Sequence, residues 1–490
     1  MLAAALAAVC SVSAAQAPGP APEQPPAAVA TATPAAPAPT PKSRADAFAE
    51  FRRLFDEKKY EQAVAAAQQV VELTDPKAGA GEEMQVALMN LATAQYHAGD
   101  YVGAETSFLR VVELIEATGR MTNPRLARAH AGLARTYHAA KRYELAVPRF
   151  EHAIALSRRE EGLFNESQLP LLEGYADSLG ALDRMQEALQ ARRYALRIVE
   201  RRHGAGSLQY ANELVSIGRW YARGGAYDAS RMSLRRAIEI IEAAQGPESP
   251  LLIGPLTGLA ECARRQLLDP AQQAQPSADD DRRSMFHDPA APMPVSVSPS
   301  TIAADGQKAL ERAVEIASNR PDPSPAQVAD VRTQLGDWFQ LRQQPDKAVP
   351  QYQQAWQAAS RVDVDGKPLS EALFGRPALL YYTWPESWDR YRSRPPTEVE
   401  LRSAEIELTV NAQGRVRDAK VLSDAGDPKL GAQAIRAAET ARYRPHMDNG
   451  QPVETQGVRF TQPFYVLLAP PPAPVPGGDK PAPAGSKPAT

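Results

Sequence analysis

At 490 residues the chain is too long for one hydrophobic core, so two or more domains are expected. Charged residues make up 23% and the formal net charge is −3, which excludes the strongly basic balance that nucleic-acid binders usually show. Of the two cysteines, Cys10 and Cys262, only the second would survive removal of a leader, which excludes an intrachain disulfide in the mature protein.

The start, from Met1-Leu2-Ala3 to Gln16-Ala17, is an Ala-rich apolar run closing on A-x-A-like sites. Residues 1–17 therefore read as a signal peptide, with cleavage after Ala14 or Ala15 and export to a bacterial periplasm expected. No Lys or Arg precedes the run, and it is poor material for a span of about 20 strongly apolar residues. Residues 18–42 form a Pro/Ala-rich spacer, 269–302 an insertion with the cluster Asp279-Asp280-Asp281-Arg282-Arg283, and 469–490 a Pro-rich tail. All three are predicted disordered, because such composition buries too little apolar surface to offset ordering.

Between spacer and insertion, residues 43–268 repeat. Tyr60, Tyr101, Tyr143, Met185 and Tyr227 are successive landmarks, 41, 42, 42 and 42 residues apart (101−60, 143−101, 185−143, 227−185). Three residues after each stands a small residue: Ala63, Ala104, Ala146, Ala188 and Ser230. Ten residues after each stands Val70, Val111, Ala153, Ala195 or Ala237. In the second unit the spacing predicts a helix over Met84 to Ala98, a turn at Gly99-Asp100, and a second helix opened by Tyr101 through Phe108, Val111 and Leu114. Such a period marks one helical hairpin stacked many times. A sixth unit is split by the insertion, Leu256 to Leu268 giving its first helix and Ala309, Leu310 and Ala313 its second. A last unit holds Leu335, Gly336, Phe339, Ala348, Tyr352 and Ala355, so that residues 303–362 complete the array. These landmarks resemble the tetratricopeptide repeat. The connectors Gly204 to Ala211 and Gln245 to Leu251 resemble the longer linkers of the kinesin-light-chain type.

Residues 363–398 read as a linker, and 399–468 as a second domain. Glu405-Ile406-Glu407-Leu408-Thr409-Val410 alternates as a half-buried strand. Gly414 marks a turn, and Val416, Ala419, Val421 and Leu422 form a return strand. Asp427-Pro428 opens a helix with Leu430, Ala434, Ile435 and Ala438 on its apolar face. A last strand runs from about Gln456 to Leu467. The Gly414-Arg415-Val416 turn, the Arg442-Tyr443-Arg444-Pro445 exit and the Asn449-Gly450-Gln451-Pro452-Val453 turn resemble the C-terminal domain of TonB over roughly sixty residues. Ala441 stands where relatives usually carry an aromatic, and Pro463 removes a donor from the last strand. The predicted fold class is mostly α: a helical solenoid followed by a small α+β (ββαβ) domain.

No nucleophile elbow, phosphate loop or CxxC is present. None of the seven histidines pairs with another ligand type at metal spacing, so no catalytic residue, cofactor or metal is expected. Cys262 reads as a small buried residue, and Trp384 and Trp388, with Tyr381, Tyr382 and Tyr391, as packing of the linker. A curved helical solenoid lines its concave side with the first helix of each unit, where a partner segment can lie. Thr93, Tyr96, Arg128, Arg135, His138, Glu173, Asp177, Asn212 and Arg219 are the candidate positions there. The resemblance to TonB implies a second surface: a partner peptide adds as a strand to the last strand, with Val458 and Phe460 as candidates and Pro463 limiting pairing to the part before it. The expected function is a non-catalytic periplasmic adaptor for other proteins or peptides, envelope or outer-membrane proteins among them, with no nucleic acid and no small-molecule substrate. The rival is a TonB-type energy transducer anchored by an uncleaved N-terminal segment. A hydrolase built on the Trp384 cluster lacks a nucleophile-base pair.

Overall fold

The computed structural model describes residues 43–468, apart from 75–80, 118–122, 270–296, 386–387, 389–390, 392–393, 396 and 425. The expected signal peptide, the 18–42 spacer, most of the insertion and the 469–490 tail lie outside the described residues.

Seven helical hairpins follow one another: α1 (Arg44–Asp56) with α2 (Tyr60–Glu72), α3 (Glu82–His97) with α4 (Tyr101–Glu116), and α5 (Pro124–Ala139) with α6 (Tyr143–Glu161). Next come α7 (Leu169–Ala181) with α8 (Met185–His203), α9 (Leu208–Arg223) with α10 (Tyr227–Gln245), and α11 (Ile253–Leu268) with α12 (Pro299–Ser318). The last is α13 (Pro325–Leu341) with α14 (Pro345–Ala359). Every landmark is the first residue of a second helix. The small residue three positions on is fully buried in all five units, because a side chain there would hold the two helices apart. Bulk fills the wedge beyond it. Phe108 lies against Gly132 and Phe150 against Gly174, one period later. Among the described residues no helix is long and apolar enough to cross a membrane.

The turn inside each of the six uninterrupted hairpins is equally periodic. Lys58, Gly99, Lys141, Asp183, Gly225 and Gln343 each stand two residues before a second helix, and each takes positive φ, between 59° and 81°. The following amide closes back across the first helix, as from Arg142 to the Tyr137 carbonyl at 2.8 Å and from Asp100 to that of Gln95 at 2.9 Å. This is the left-handed helix stop in which glycine costs least. Four of the six are not glycine, and a β-carbon in that region costs about 1 kcal/mol or more. Lys141→Gly is therefore expected to stabilise the protein by roughly 1 kcal/mol, less the entropy glycine gains when unfolded. An unchanged midpoint in a urea titration would contradict this.

Two segments carry regular structure beyond what the sequence pattern suggests. Helix α12 begins at Pro299, inside the segment read as disordered to 302; Ser298 accepts from the Thr301 amide at 3.2 Å, and a proline in the first turn is pre-organised for the helix rather than breaking it. The 363–398 linker carries structure: β1 (Asp363–Val364), β2 (Lys367–Pro368), α15 (Leu369–Phe374) and β3 (Ala378–Tyr381). Phe374, fully buried against Tyr352, anchors it to the last repeat.

The C-terminal domain comprises β4 (Val399–Val410), β5 (Val416–Ser423), α16 (Pro428–Thr440), β6 (Arg442–Arg444), β7 (His446–Asp448), β8 (Gln451–Val453) and β9 (Thr455–Leu467). The main sheet is antiparallel in the order β5-β4-β9, and β3 pairs with β6. Helix α16 covers one face, burying Leu430, Ala434 and Ala438 against Ile406, Leu408, Phe460 and Phe464. Strand β4 extends six residues before Glu405, the start of the clean alternation (405−399). Asn449 and Gly450, both at positive φ, make the two-residue turn between β7 and β8, as an Asn-Gly pair favours.

Candidate interaction surfaces

The first helices of successive hairpins pack on one another directly, α3 on α5, α5 on α7 and α9 on α11, whereas the second helices stand further apart. In a curved stack the closer row is the inner one, so the first helices line the groove. Of the residues expected there, Arg128, Arg135, Glu173, Asn212 and Arg219 are exposed. Thr93 and Tyr96 are half-buried, and the Thr93 hydroxyl donates to the Met89 carbonyl of its own helix at 2.7 Å. Three of the polar candidates are already engaged between helices. His138 Nδ1 lies 2.8 Å from Ser178 Oγ, Asp177 accepts from Arg192 at 2.8 Å, and Arg219 donates to the Gly254 carbonyl at 3.0 Å. The ties of His138 and Arg219 join neighbouring repeats, and that of Asp177 joins the two helices of one hairpin.

Sequence reasoning missed the group beneath. Arg192, buried and carried by α8, reaches between α7 and α9 to Asp177, to Glu173 at 3.7 Å and to Ser216 Oγ at 3.3 Å. Glu213 stands beside it; burial raises its pKa, Arg192 opposes the rise, and Glu173 adds to it. The groove floor at this level thus holds three carboxylates around one buried guanidinium. His130 is buried and stacked on His152, ring centroids 5.3 Å apart. Burial, with the nearby Arg149 and His152, pushes its pKa down to about 4. Among the described residues no three His, Cys, Asp or Glu side chains gather as metal ligands. Cys262 is buried, its thiol lies 3.5 Å from the Tyr227 carbonyl, and burial raises its pKa, which suppresses the thiolate.

The second surface is the outer margin of β9, which among the described residues pairs with β4 on its inner side only. The Leu468 amide donates to the Glu398 carbonyl at 2.9 Å, which makes that pair a hydrogen-bonded one. Such pairs alternate along an antiparallel ladder. Arg402–Phe464, Ala404–Gln462, Ile406–Phe460 and Leu408–Val458 are therefore bonded, and Ser403–Pro463 is not. The Pro463 nitrogen faces outward, so its missing proton leaves the ladder to β4 intact and removes one donor from the free margin. Val458 and Phe460 donate inward, and Phe460 is buried against Tyr382, ring centroids 5.1 Å apart. The outward amides, those open to a guest backbone, are those of Arg459, Thr461, Tyr465 and Leu467. The alternation that Val458 and Phe460 share with the core residue Phe464 is the sequence signal for this inward direction. Rings continue from Phe460 through Tyr382, Trp384 and Trp388 to Tyr465, with successive centroids 4.5 to 5.1 Å apart. Tyr465 points to the face of β9 opposite Phe460, so the linker aromatics pack across from one face of the strand to the other.

The two surfaces belong to one body. Arg444 of β6 makes a double hydrogen bond with Asp337 of α13, at 2.9 and 2.7 Å, and donates to the Leu373 carbonyl at 3.0 Å. Its guanidinium lies 5.6 Å from the centre of the Phe374 ring, and the fully buried Tyr352 donates its hydroxyl to Asp337 at 2.9 Å. Burial disfavours the charge on Arg444, yet Asp337 beside it holds the pKa above that of an ordinary arginine. Gln340 donates to the Gln413 carbonyl at 2.5 Å, and Met447 is part of the solenoid's own core.

Comparison with known proteins matches this architecture in two places. Residues 83–159 match the tetratricopeptide repeat, and residues 403–462 match the Gram-negative bacterial TonB protein C-terminal family. The chain thus carries tetratricopeptide repeats and a TonB-type C-terminal domain. Solved structures similar to it include BtubC (BKLC) from P. vanneervenii, 17% identical over 54% of this chain and 94% of that one, with a TM-score of 0.37. Others are kinesin-light-chain TPR-like repeats from Podosopora anserina, 20% identical over 42% and 99% with a TM-score of 0.38, and aspartyl phosphate phosphatase F from Bacillus subtilis, 14% identical over 66% and 72% with a TM-score of 0.36. Among curated proteins, none matches.

Proposed function

We propose that the chain is a non-catalytic adaptor of the bacterial periplasm, which holds one partner segment in the groove of its first helices and takes another as an added strand on β9. The reading is carried by the outer margin of β9, unpaired among the described residues, on a domain anchored to the solenoid through Arg444. The match to a Gram-negative TonB domain and the leader-like start support the location. The groove offers exposed Arg128, Arg135 and Asn212 to a polar segment, above side chains already fixed by their neighbours. Main-chain hydrogen bonds supply most of the contact at the sheet margin, so the partner there needs an extended backbone more than a particular sequence.

The test is Thr461→Pro. The Thr461 nitrogen faces outward, so the substitution breaks no ladder bond within the sheet, and it leaves two consecutive outward positions without donors. Affinity capture from an envelope extract with the full chain is expected to lose partners held at β9, while those held by the groove remain. Arg128→Glu with Arg135→Glu is expected to do the reverse. A partner set unchanged by either variant would refute the reading, and an intact Met1 recovered in the membrane fraction would favour an anchored transducer instead.

A further inference from the structure

Helix α8 carries Arg193, Arg197 and Arg201 four residues apart, a stripe along one face. All three are exposed, as are Arg202 at the end of the helix and Arg159 on α6. Among the described residues none of these five guanidinium groups has a carboxylate within ion-pair distance, so five unpaired arginines gather at one corner of the solenoid, whereas Arg53, Arg110 and Arg184 pair with carboxylates on their own helices. The overall charge of −3 thus hides a local concentration of unpaired positive charge.

Beside the stripe, the connector between α6 and α7 presents two apolar side chains to solvent. Leu163 is 61% exposed and Phe164 37%. The connector is tied down from within. Gln168, fully buried, donates to the carbonyls of Gly162 and Leu163 at 3.2 and 3.0 Å, Asn165 donates to that of Gly162 at 2.8 Å, and the Tyr194 hydroxyl donates to the Leu163 carbonyl. The backbone's acceptors are satisfied inward while the side chains point out. Arg201 lies 5.5 Å from the centre of the Phe164 ring, and Arg158 and Arg197 lie 4.3 and 5.6 Å from that of Tyr194, so cations and rings form one layer. Four carboxylates stand in the same segments, Glu160, Glu161, Glu166 and Glu200; Ser167 and His203 engage Glu161 and Glu166, and the six arginines Arg158, Arg159, Arg193, Arg197, Arg201 and Arg202 outnumber the four.

A rigid apolar tip flanked by uncompensated arginines complements one kind of surface: an interface whose outer layer is anionic and whose next layer is oily. We propose that this corner of the solenoid docks on an anionic phospholipid bilayer, Leu163 and Phe164 entering the headgroup boundary and Arg193, Arg197 and Arg201 lying against lipid phosphates. A nucleic acid would engage the arginines but leaves Leu163 without a partner.

The full chain is expected to sediment with vesicles of phosphatidylglycerol and phosphatidylcholine, less so as salt rises, and not with phosphatidylcholine alone. Arg197→Ala with Arg201→Ala should weaken binding about five-fold per arginine. Leu163→Ser with Phe164→Ser should weaken it about ten-fold or more and leave the salt dependence in place. These side chains are on the surface, so circular dichroism should be unchanged, and Leu163→Ser alone should give a smaller loss of the same kind. Equal binding to neutral vesicles, or binding that survives both double substitutions, overturns the proposal. Affinity for a DNA duplex that matches the vesicles and survives the loss of Leu163 and Phe164 would reassign the arginines to nucleic acid.

Discussion

Asp337→Ala should destabilise the protein by about 3–5 kcal/mol, because it strands the Arg444 guanidinium in a buried site without its counter-charge. The side chains of Arg444 and Asp337 are only 9% and 18% exposed, so solvent cannot take over the lost contact. The same substitution leaves the buried Tyr352 hydroxyl without its acceptor, which adds to the loss. Replacing both partners by apolar residues of similar volume, Asp337→Leu with Arg444→Met, should cost much less than Asp337→Ala, since no charge is then left buried. Urea titrations of the three proteins measure this. A loss below about 1 kcal/mol for Asp337→Ala would show that the pair behaves like an exposed one and that the two domains are not locked together.

Phe150→Ala should cost about 3–5 kcal/mol, since the ring is 1% exposed and fills the wedge between adjoining repeats. Its partner across the wedge is Gly174, where an added Cβ would lie 2.5 Å from the ring's Cζ. Gly174→Ala alone is therefore overpacked and should cost about 1–3 kcal/mol. In the Phe150→Ala background the same methyl enters vacated space, and its cost should fall toward zero or reverse. The double-mutant cycle thus predicts a coupling of about 1 kcal/mol or more, with the double variant more stable than the sum of the two losses. Strictly additive losses would mean that ring and glycine do not meet. Because each hairpin contacts chiefly its neighbours, the damage should centre on the third and fourth hairpins and broaden the unfolding transition.

The repeat array was legible because its constraints are local and recur. A small residue three positions after each landmark must be small for the same reason every time, and Tyr60, Tyr101, Tyr143, Met185 and Tyr227 all open second helices. The strand-helix-strand pattern after Val399 was legible for a similar reason, alternation and turn chemistry being short-range. The contacts that unite the molecule were not. Arg444 stands in the Arg442-Tyr443-Arg444-Pro445 exit, but nothing there points to Asp337, 107 residues away, as its partner. Arg192 is likewise one of several arginines on α8, and only the stacking of three helices reveals that it alone turns inward among them. The groove candidates were chosen by projection along the repeat, which finds the helix but not the rotamer; His138, Asp177 and Arg219 prove to be engaged by adjacent helices. The direction of the Pro463 nitrogen depends on the parity of a ladder whose register is set across the sheet.

That parity bears on how the protein avoids its own kind. A bare sheet margin invites an identical copy to zip alongside, and repetition of that event builds fibres. A twin laid antiparallel across Pro463 would bring a second proline to the same short stretch, so both chains would lack a donor where each must supply one. A foreign segment with an ordinary backbone meets that gap once. The imino acid thus penalises homotypic pairing more than heterotypic pairing, and it does so without charge, so the bias should persist at high ionic strength.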